Sequence, residues 1–136
     1  LPEYTCFSYV ASMPKTNTAD PYLRQYFCDV GVYWIREFDI DGWRLDVANE
    51  LDDGFLRAFR TAVKAAKPDA VIVGEVWENA AHYLNGDMMD SAMNYDFRRY
   101  CRRFFAEETV DAETFHPFAA LSGKRPVCPA ESAGQP

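Results

Sequence analysis

The sequence predicts an α/β fold built on parallel strands. Three observations carry that expectation. Two strand-like runs, 43–47 and 70–76, stand about one βαβ unit apart. A helical pattern, Leu56, Phe59, Val63 and Ala66, fills the interval between them. A longer amphipathic pattern precedes the first run, so helices and strands alternate. Connections of this kind belong to an open doubly wound sheet or to a closed barrel, and in both the chemistry gathers at the carboxyl ends of the strands.

The elements follow in order. A short apolar stretch, 7–11, breaks at Met13-Pro14, and 14–18 is polar and reads as a loop. Asp20-Pro21 is a helix start, an N-cap acid followed by Pro at the first helical position. From there Leu23, Phe27, Val30, Trp34 and Phe38 form one apolar stripe of a long helix. Gly31 inside it costs roughly 1 kcal/mol relative to Ala, which close packing against a neighbour would offset. A turn at 39–42 leads into the 43–47 strand. Asp52-Asp53-Gly54 opens the second helix and Pro68 ends it. The run 70–76 is nearly continuously apolar, as in a strand covered on both faces or lining a barrel. Residues 79–87 read as irregular or briefly helical, 91–95 as a third strand, and 96–108 as a helix. Phe97, Tyr100, Cys101, Phe104 and Phe105 form that helix's inner side. Beyond Phe115, the segment 116–136 holds four of the eight prolines and no periodicity, so a mobile tail is expected there.

Composition bounds the function. The 136 residues suffice for one modest core, and 49% hydrophobic with 26% charged residues is globular. A formal net charge of −7 disfavours nucleic acid as a partner, because phosphate binding wants basic patches. No apolar run approaches the length of a membrane span. Cys6, Cys28, Cys101 and Cys128 are scattered without zinc-like spacing. Reduced, structural thiols and a cytoplasmic location are therefore expected. No metal site and no cofactor are expected either. The opening Leu1-Pro2-Glu3-Tyr4 shows no signal peptide and no initiator Met, which suggests a piece of something longer.

The candidate chemistry lies in two acids, Asp46 and Glu75. Each sits at the end of a predicted strand, so adjacent parallel strands would deliver both to one sheet edge. Arg44 and Asp46 are two apart and share a strand face. A guanidinium beside a carboxylate keeps it ionised, as a nucleophile requires. Glu75 follows an apolar strand, beside Gly74 and near Trp77, where a less polar niche would let a general acid keep its proton. Strands about 4.8 Å apart allow carboxyls to approach about 5–5.5 Å, the separation of retaining glycoside cleavage. An Arg and an Asp two apart can equally be a plain ion pair, and a Glu at a strand end can be a cap. Two such runs on consecutive strands, each flanked by Trp, favour a site. A metal role for the same acids is disfavoured, since no nearby His or third acid stands at ligand spacing.

Gly42-Trp43-Arg44-Leu45-Asp46-Val47-Ala48-Asn49-Glu50 resembles the nucleophile region of the α-amylase family of glycoside hydrolases, and Gly74-Glu75-Val76-Trp77 its acid/base region. Met13-Pro14-Lys15-Thr16-Asn17 is similar to the Met-Pro-Lys-Leu-Asn stretch of the neopullulanase, cyclomaltodextrinase and maltogenic amylase branch, with Thr16 in place of Leu. Met93-Asn94-Tyr95 resembles the segment that follows in that branch. The resemblance implies part of a (β/α)8 barrel, covering roughly its strands four to six and incomplete without the rest. Residues 1–115 would be the partial catalytic barrel and 116–136 the tail. Asp46 would be the nucleophile, Glu75 the proton donor and Arg44 the partner that positions Asp46. Asn49 and Glu50 would bind substrate, and Trp77 would stack on a sugar at the leaving-group side.

The implied activity is retaining hydrolysis of α-1,4 glucosidic bonds, with α-1,6 bonds as a further candidate. Cyclodextrins, pullulan, starch and maltooligosaccharides are the implied substrates. A barrel needs roughly 250 residues, and the motifs carrying the third catalytic carboxylate are not in the sequence. The chain by itself is therefore expected to be an inactive fragment. The alternative is a non-catalytic relative that only binds glucan or a partner chain.

Overall fold

The structure, a computed structural model, describes residues 4–115. The expected tail at 116–136 and Cys128 lie outside the described residues. The chain divides into two compact units, Leu1–Ala92 and Met93–Pro136.

In the first unit, α1 (Pro21–Phe38) starts where the sequence places it. The Asp20 carboxylate accepts from the amides of Tyr22 and Leu23, and Pro21 needs no N–H at that position. β1 (Gly42–Leu45) follows, then α2 (Asp53–Ala66), capped by Asp52, whose carboxylate accepts from Phe55 N at 2.8 Å. β2 (Val71–Gly74) and β3 (Ser91–Ala92) complete the sheet. Its order is β1-β2-β3 and both pairings are parallel, with Trp43 opposite Ile72 and Leu45 opposite Gly74. Among the described residues the sheet has three strands and does not close. It is a fragment of the (β/α)8 arrangement that the resemblance implies.

The core lies between α1, α2 and the sheet. Leu56 and Val63 of α2 and Ile72 of β2 are fully buried, with Met88 and Met89 beside them. Fully burying such a side chain contributes about 1.5–3 kcal/mol. Gly31 plays the part the sequence predicts. A Cβ there would lie 2.5 Å from Phe59 Cε2, so only glycine lets α2 approach this closely. The Gly31 carbonyl also accepts a hydrogen bond from Trp43 Nε1 at 3.2 Å, tying α1 to β1.

Three expectations need correction. The strands are shorter than their apolar runs. Val47 takes a left-handed conformation (φ 43°, ψ 47°) that ends β1 at Leu45. The stripe of α1 is also rotated: Cys28, Gly31 and Ile35 are buried, whereas Trp34 and Phe38 are exposed. Periodicity predicted a helix but not which of two apolar sides faces α2; that choice followed the Gly31–Phe59 fit. In the second unit α3 (Tyr95–Phe105) buries no residue, and its Phe97 and Phe105 are exposed. On its expected inner face the Phe115 ring stacks on Phe104 at 4.7 Å.

Cys6, Cys28 and Cys101 are free thiols. Burial, then the charge of Asp29, push the Cys28 thiol up. Among the described residues no helix is long and apolar enough to cross a membrane, and no three His, Cys, Asp or Glu side chains cluster to hold a metal.

Candidate active site

The site is built where β1 and β2 run out together. Beyond Leu45 the backbone stays paired for one more step: Glu75 N donates to Leu45 O at 2.8 Å and Ala48 N donates to Glu75 O at 2.9 Å. The second bond depends on the turn at Val47. A β-branched residue at positive φ is an outlier, at a cost of about 1–3 kcal/mol. The turn aims the Val47 N–H at Glu75 Oε2, 3.1 Å away. This role of Val47 is not legible in the sequence, since nothing about Val suggests a left-handed residue.

Arg44, Asp46 and Glu75 come together. One guanidinium nitrogen, Nη1, donates to Asp46 Oδ1, while Nη2 lies 2.8 Å from Glu75 Oε2. Asp46 stands in the turn after β1 rather than on the strand, so it meets Arg44 through this ion pair and not through strand alternation. The two acids differ in setting. The Asp46 carboxylate is open to solvent, whereas Glu75 is 7% exposed.

The expected apolar niche around Glu75 is buried but furnished with donors. Besides Val47 N and Arg44, Trp77 Nε1 donates to Oε1 at 3.0 Å. Both oxygens are engaged, so burial alone does not decide where a proton sits. Trp77 itself is 61% exposed, which leaves a broad ring open beside the acid.

Asn49 and Glu50 lie on a short 3₁₀ turn, Ala48–Glu50, that directly follows the Val47 kink. Asn49 keeps its place through its carbonyl, which accepts from the Tyr83 hydroxyl at 3.2 Å. Its side-chain Oδ1 is buried with no partner. Glu50 pairs with Lys15 at 2.8 Å. The structure therefore groups Arg44, Asp46, Glu75 and Trp77, and sets Asn49 and Glu50 on an adjoining wall. A hollow of about 310 Å³ lies beside Arg44 and Asp46, walled by Phe7, Thr16 and Trp43 and by Phe27 and Phe55 of the two helices; Glu75 and Trp77 do not line it. The part of Lys15 and Ser8 in the adjoining wall was not anticipated, because they lie 35 or more positions from Glu50 in the chain.

The family model described as "Alpha amylase, catalytic domain" matches residues 2–127. A cyclomaltodextrinase of Geobacillus thermopakistaniensis is 55% identical over 114 residues, which is 84% of this chain and 19% of that protein. An intracellular maltogenic amylase of Bacillus subtilis is 51% identical over 109 residues, 80% of this chain and 18% of that one. The chain thus spans about a fifth of the length of the curated relatives it matches. Among solved structures, a cyclic α-maltosyl-(1→6)-maltose hydrolase from Arthrobacter globiformis, in complex with maltose, aligns with a TM-score of 0.82 at 38% identity. That match covers 93% of this chain and 29% of the other.

Proposed function

The chain belongs to the α-amylase family of glycoside hydrolases, and from that premise we propose that it carries the nucleophile and acid/base segments of an enzyme that cleaves α-glucans with retention. The observation that supports this reading is the shared guanidinium: Arg44 reaches both Asp46 and Glu75 at one edge of a parallel sheet.

The chemistry follows from that arrangement. Retaining cleavage needs one carboxylate as nucleophile and one carboxyl group as proton donor. Asp46, open to solvent beside the hollow, is the nucleophile. Glu75, buried beside the exposed Trp77 ring, takes the general-acid role and gives a proton to the leaving glycosidic oxygen. Once Asp46 is tied up in the glycosyl ester, the Arg44 charge is left to Glu75 alone. That favours its carboxylate form, which then activates water for the second displacement. Trp77 supports a sugar on the leaving-group side, and Asn49 lines the neighbouring wall.

The substrates we assign are α-1,4-linked oligosaccharides and cyclodextrins, with α-1,6 branch points and pullulan as the finer question. This matches what the relatives' names describe for those proteins. A cytoplasmic location accords with the scattered free thiols and with the name of the Bacillus subtilis relative. The chain by itself is inactive in this reading, because among the described residues the sheet has three strands and does not close into a barrel.

The deciding experiment compares two proteins on β-cyclodextrin. The 136-residue chain alone should release no maltose. The chain joined to its flanking coding sequence, as a completed barrel, should release α-anomeric products, seen by proton NMR before mutarotation. Asp46→Asn should abolish that release. Initial β-anomeric products, or full turnover by the Asp46→Asn barrel, would refute the assignment.

A further inference from the structure

Glu50, a residue that the family resemblance points toward sugar contact, has both carboxylate oxygens occupied by the protein. Oε2 lies 2.8 Å from Lys15 Nζ, and the pair is largely covered. Oε1 accepts from the Ser8 amide and the Ser8 hydroxyl, each at 3.1 Å. Lys15 first, and Ser8 with it, hold this carboxyl below the usual carboxylate range against the opposing effect of burial.

These partners belong to one closed loop, 5–15. Its neck is pinned by Lys15 N donating to Thr5 O and Phe7 N donating to Met13 O, both at 2.9 Å, and by a bridge between Cys6 and Pro14. The Tyr4 hydroxyl donates to Ala11 O at 2.7 Å across the same loop. Compact loops with adjoining ends are often functional.

At its tip two successive non-glycine residues are left-handed, Ser8 at φ 49° and Tyr9 at φ 63°. Such conformations persist only where their surroundings over-determine them. Here the Ser8 N–H and hydroxyl meet a single carboxylate, and Lys15 Nζ sits 5.2 Å from the Phe7 ring centroid as well. The loop in turn borders the candidate site. Phe7 lines the hollow that Arg44 and Asp46 line, and Ser8 and Tyr9 line an adjoining one of about 510 Å³ with Asn49 and Glu50. Tyr9 is fully exposed above it.

We propose that Glu50 is a positioning residue, acting on the glucan through the 5–15 loop that it latches with Lys15 and Ser8, and so setting the wall of the hollow beside Asp46. The inference rests on the glycosidase reading for its consequence but not for its geometry. It makes Lys15 as important as Glu50 to acceptor choice, although Lys15 touches no sugar.

Two measurements test it. In the 136-residue chain, hydrogen exchange should find the Ser8 amide protected. Glu50→Ala and Lys15→Met should each release it at least tenfold while the Val63 amide in α2 is unchanged, and Lys15→Arg should keep it protected. A Ser8 amide that is open in the parent chain, or equally protected in Glu50→Ala, overturns the latch.

In the completed barrel with maltotriose, Glu50→Ala and Lys15→Met should shift KM and the ratio of transfer to hydrolysis by similar factors, and by more than they shift kcat. The double variant should match either single one, since residues acting as one unit are not additive. A Glu50→Ala effect that Lys15→Met does not reproduce means direct sugar contact and overturns the proposal. A completed barrel without any hydrolysis refutes the glycosidase reading instead, and the exchange result still decides the latch.

Discussion

Nη2 of Arg44 lies 2.8 Å from Oε2 of Glu75, across the gap between two parallel strands, while the other arm of the same guanidinium holds Asp46. One side chain thus fixes both acids. Removing it strips a charged donor from a buried carboxylate. Arg44→Met should therefore cost about 1–2 kcal/mol of stability, less than a fully buried pair because the arginine is half exposed. Arg44→Lys should recover little of the completed barrel's turnover, since one ammonium cannot reproduce a planar two-armed fork. Urea unfolding and steady-state kinetics check the two halves separately. Lysine restoring full turnover would show that only charge is needed.

Trp77 combines an exposed ring with a 3.0 Å hydrogen bond to Glu75 Oε1. Two substitutions separate these. Trp77→Phe keeps the ring and loses the donor, so in the completed barrel kcat should fall roughly tenfold or more, with KM little changed. Trp77→Ala should in addition raise KM for maltooligosaccharides. Equal kinetics for the two variants would show that the ring contacts no sugar.

Gly31 has no room for a methyl group, with Phe59 Cε2 at 2.5 Å from any Cβ. Gly31→Ala should destabilise the chain by about 1–3 kcal/mol through overpacking, despite the better helix propensity of alanine. Phe59→Leu on the same background should recover part of the loss. Thermal unfolding of the two single variants and the double variant would reveal that coupling, and additive losses would deny it.

Asp90 ties β3 to α2 and β2. Its carboxylate meets Arg60 at 2.7 Å and Lys64 at 2.9 Å, and accepts from the buried Ile72 amide at 2.8 Å. Burial pushes its carboxyl up, but the Ile72 amide, Lys64 and Arg60 together bring it below the ordinary value. A depressed carboxylate contributes stability that is present above its unfolded value and lost as pH falls through its folded value. Stability should thus decline below about pH 4. Asp90→Ala should cost about 1–3 kcal/mol at neutral pH, because the Ile72 N–H is left unpaired. It should also flatten the acid slope. Urea midpoints at pH 7 and pH 3 measure both, and an unchanged slope would remove Asp90 from the acid response.

The sequence by itself determined what neighbours in the chain decide. Asp20-Pro21 and Asp52 set the starts of α1 and α2, because caps are satisfied within three residues. The spacing of the apolar runs determined parallel strands, and with them the common edge for Asp46 and Glu75. Only the tertiary structure decided the rest. Val47 ends β1 early because its amide meets a carboxylate 28 positions away. The buried side of α1 was chosen by a ring on α2, and Glu50 was claimed by Lys15 and Ser8 across the chain. Periodicity records that a face is apolar and a motif records that an acid is present. Which partner each one meets depends on contacts between distant residues, and those exist only once the chain has folded.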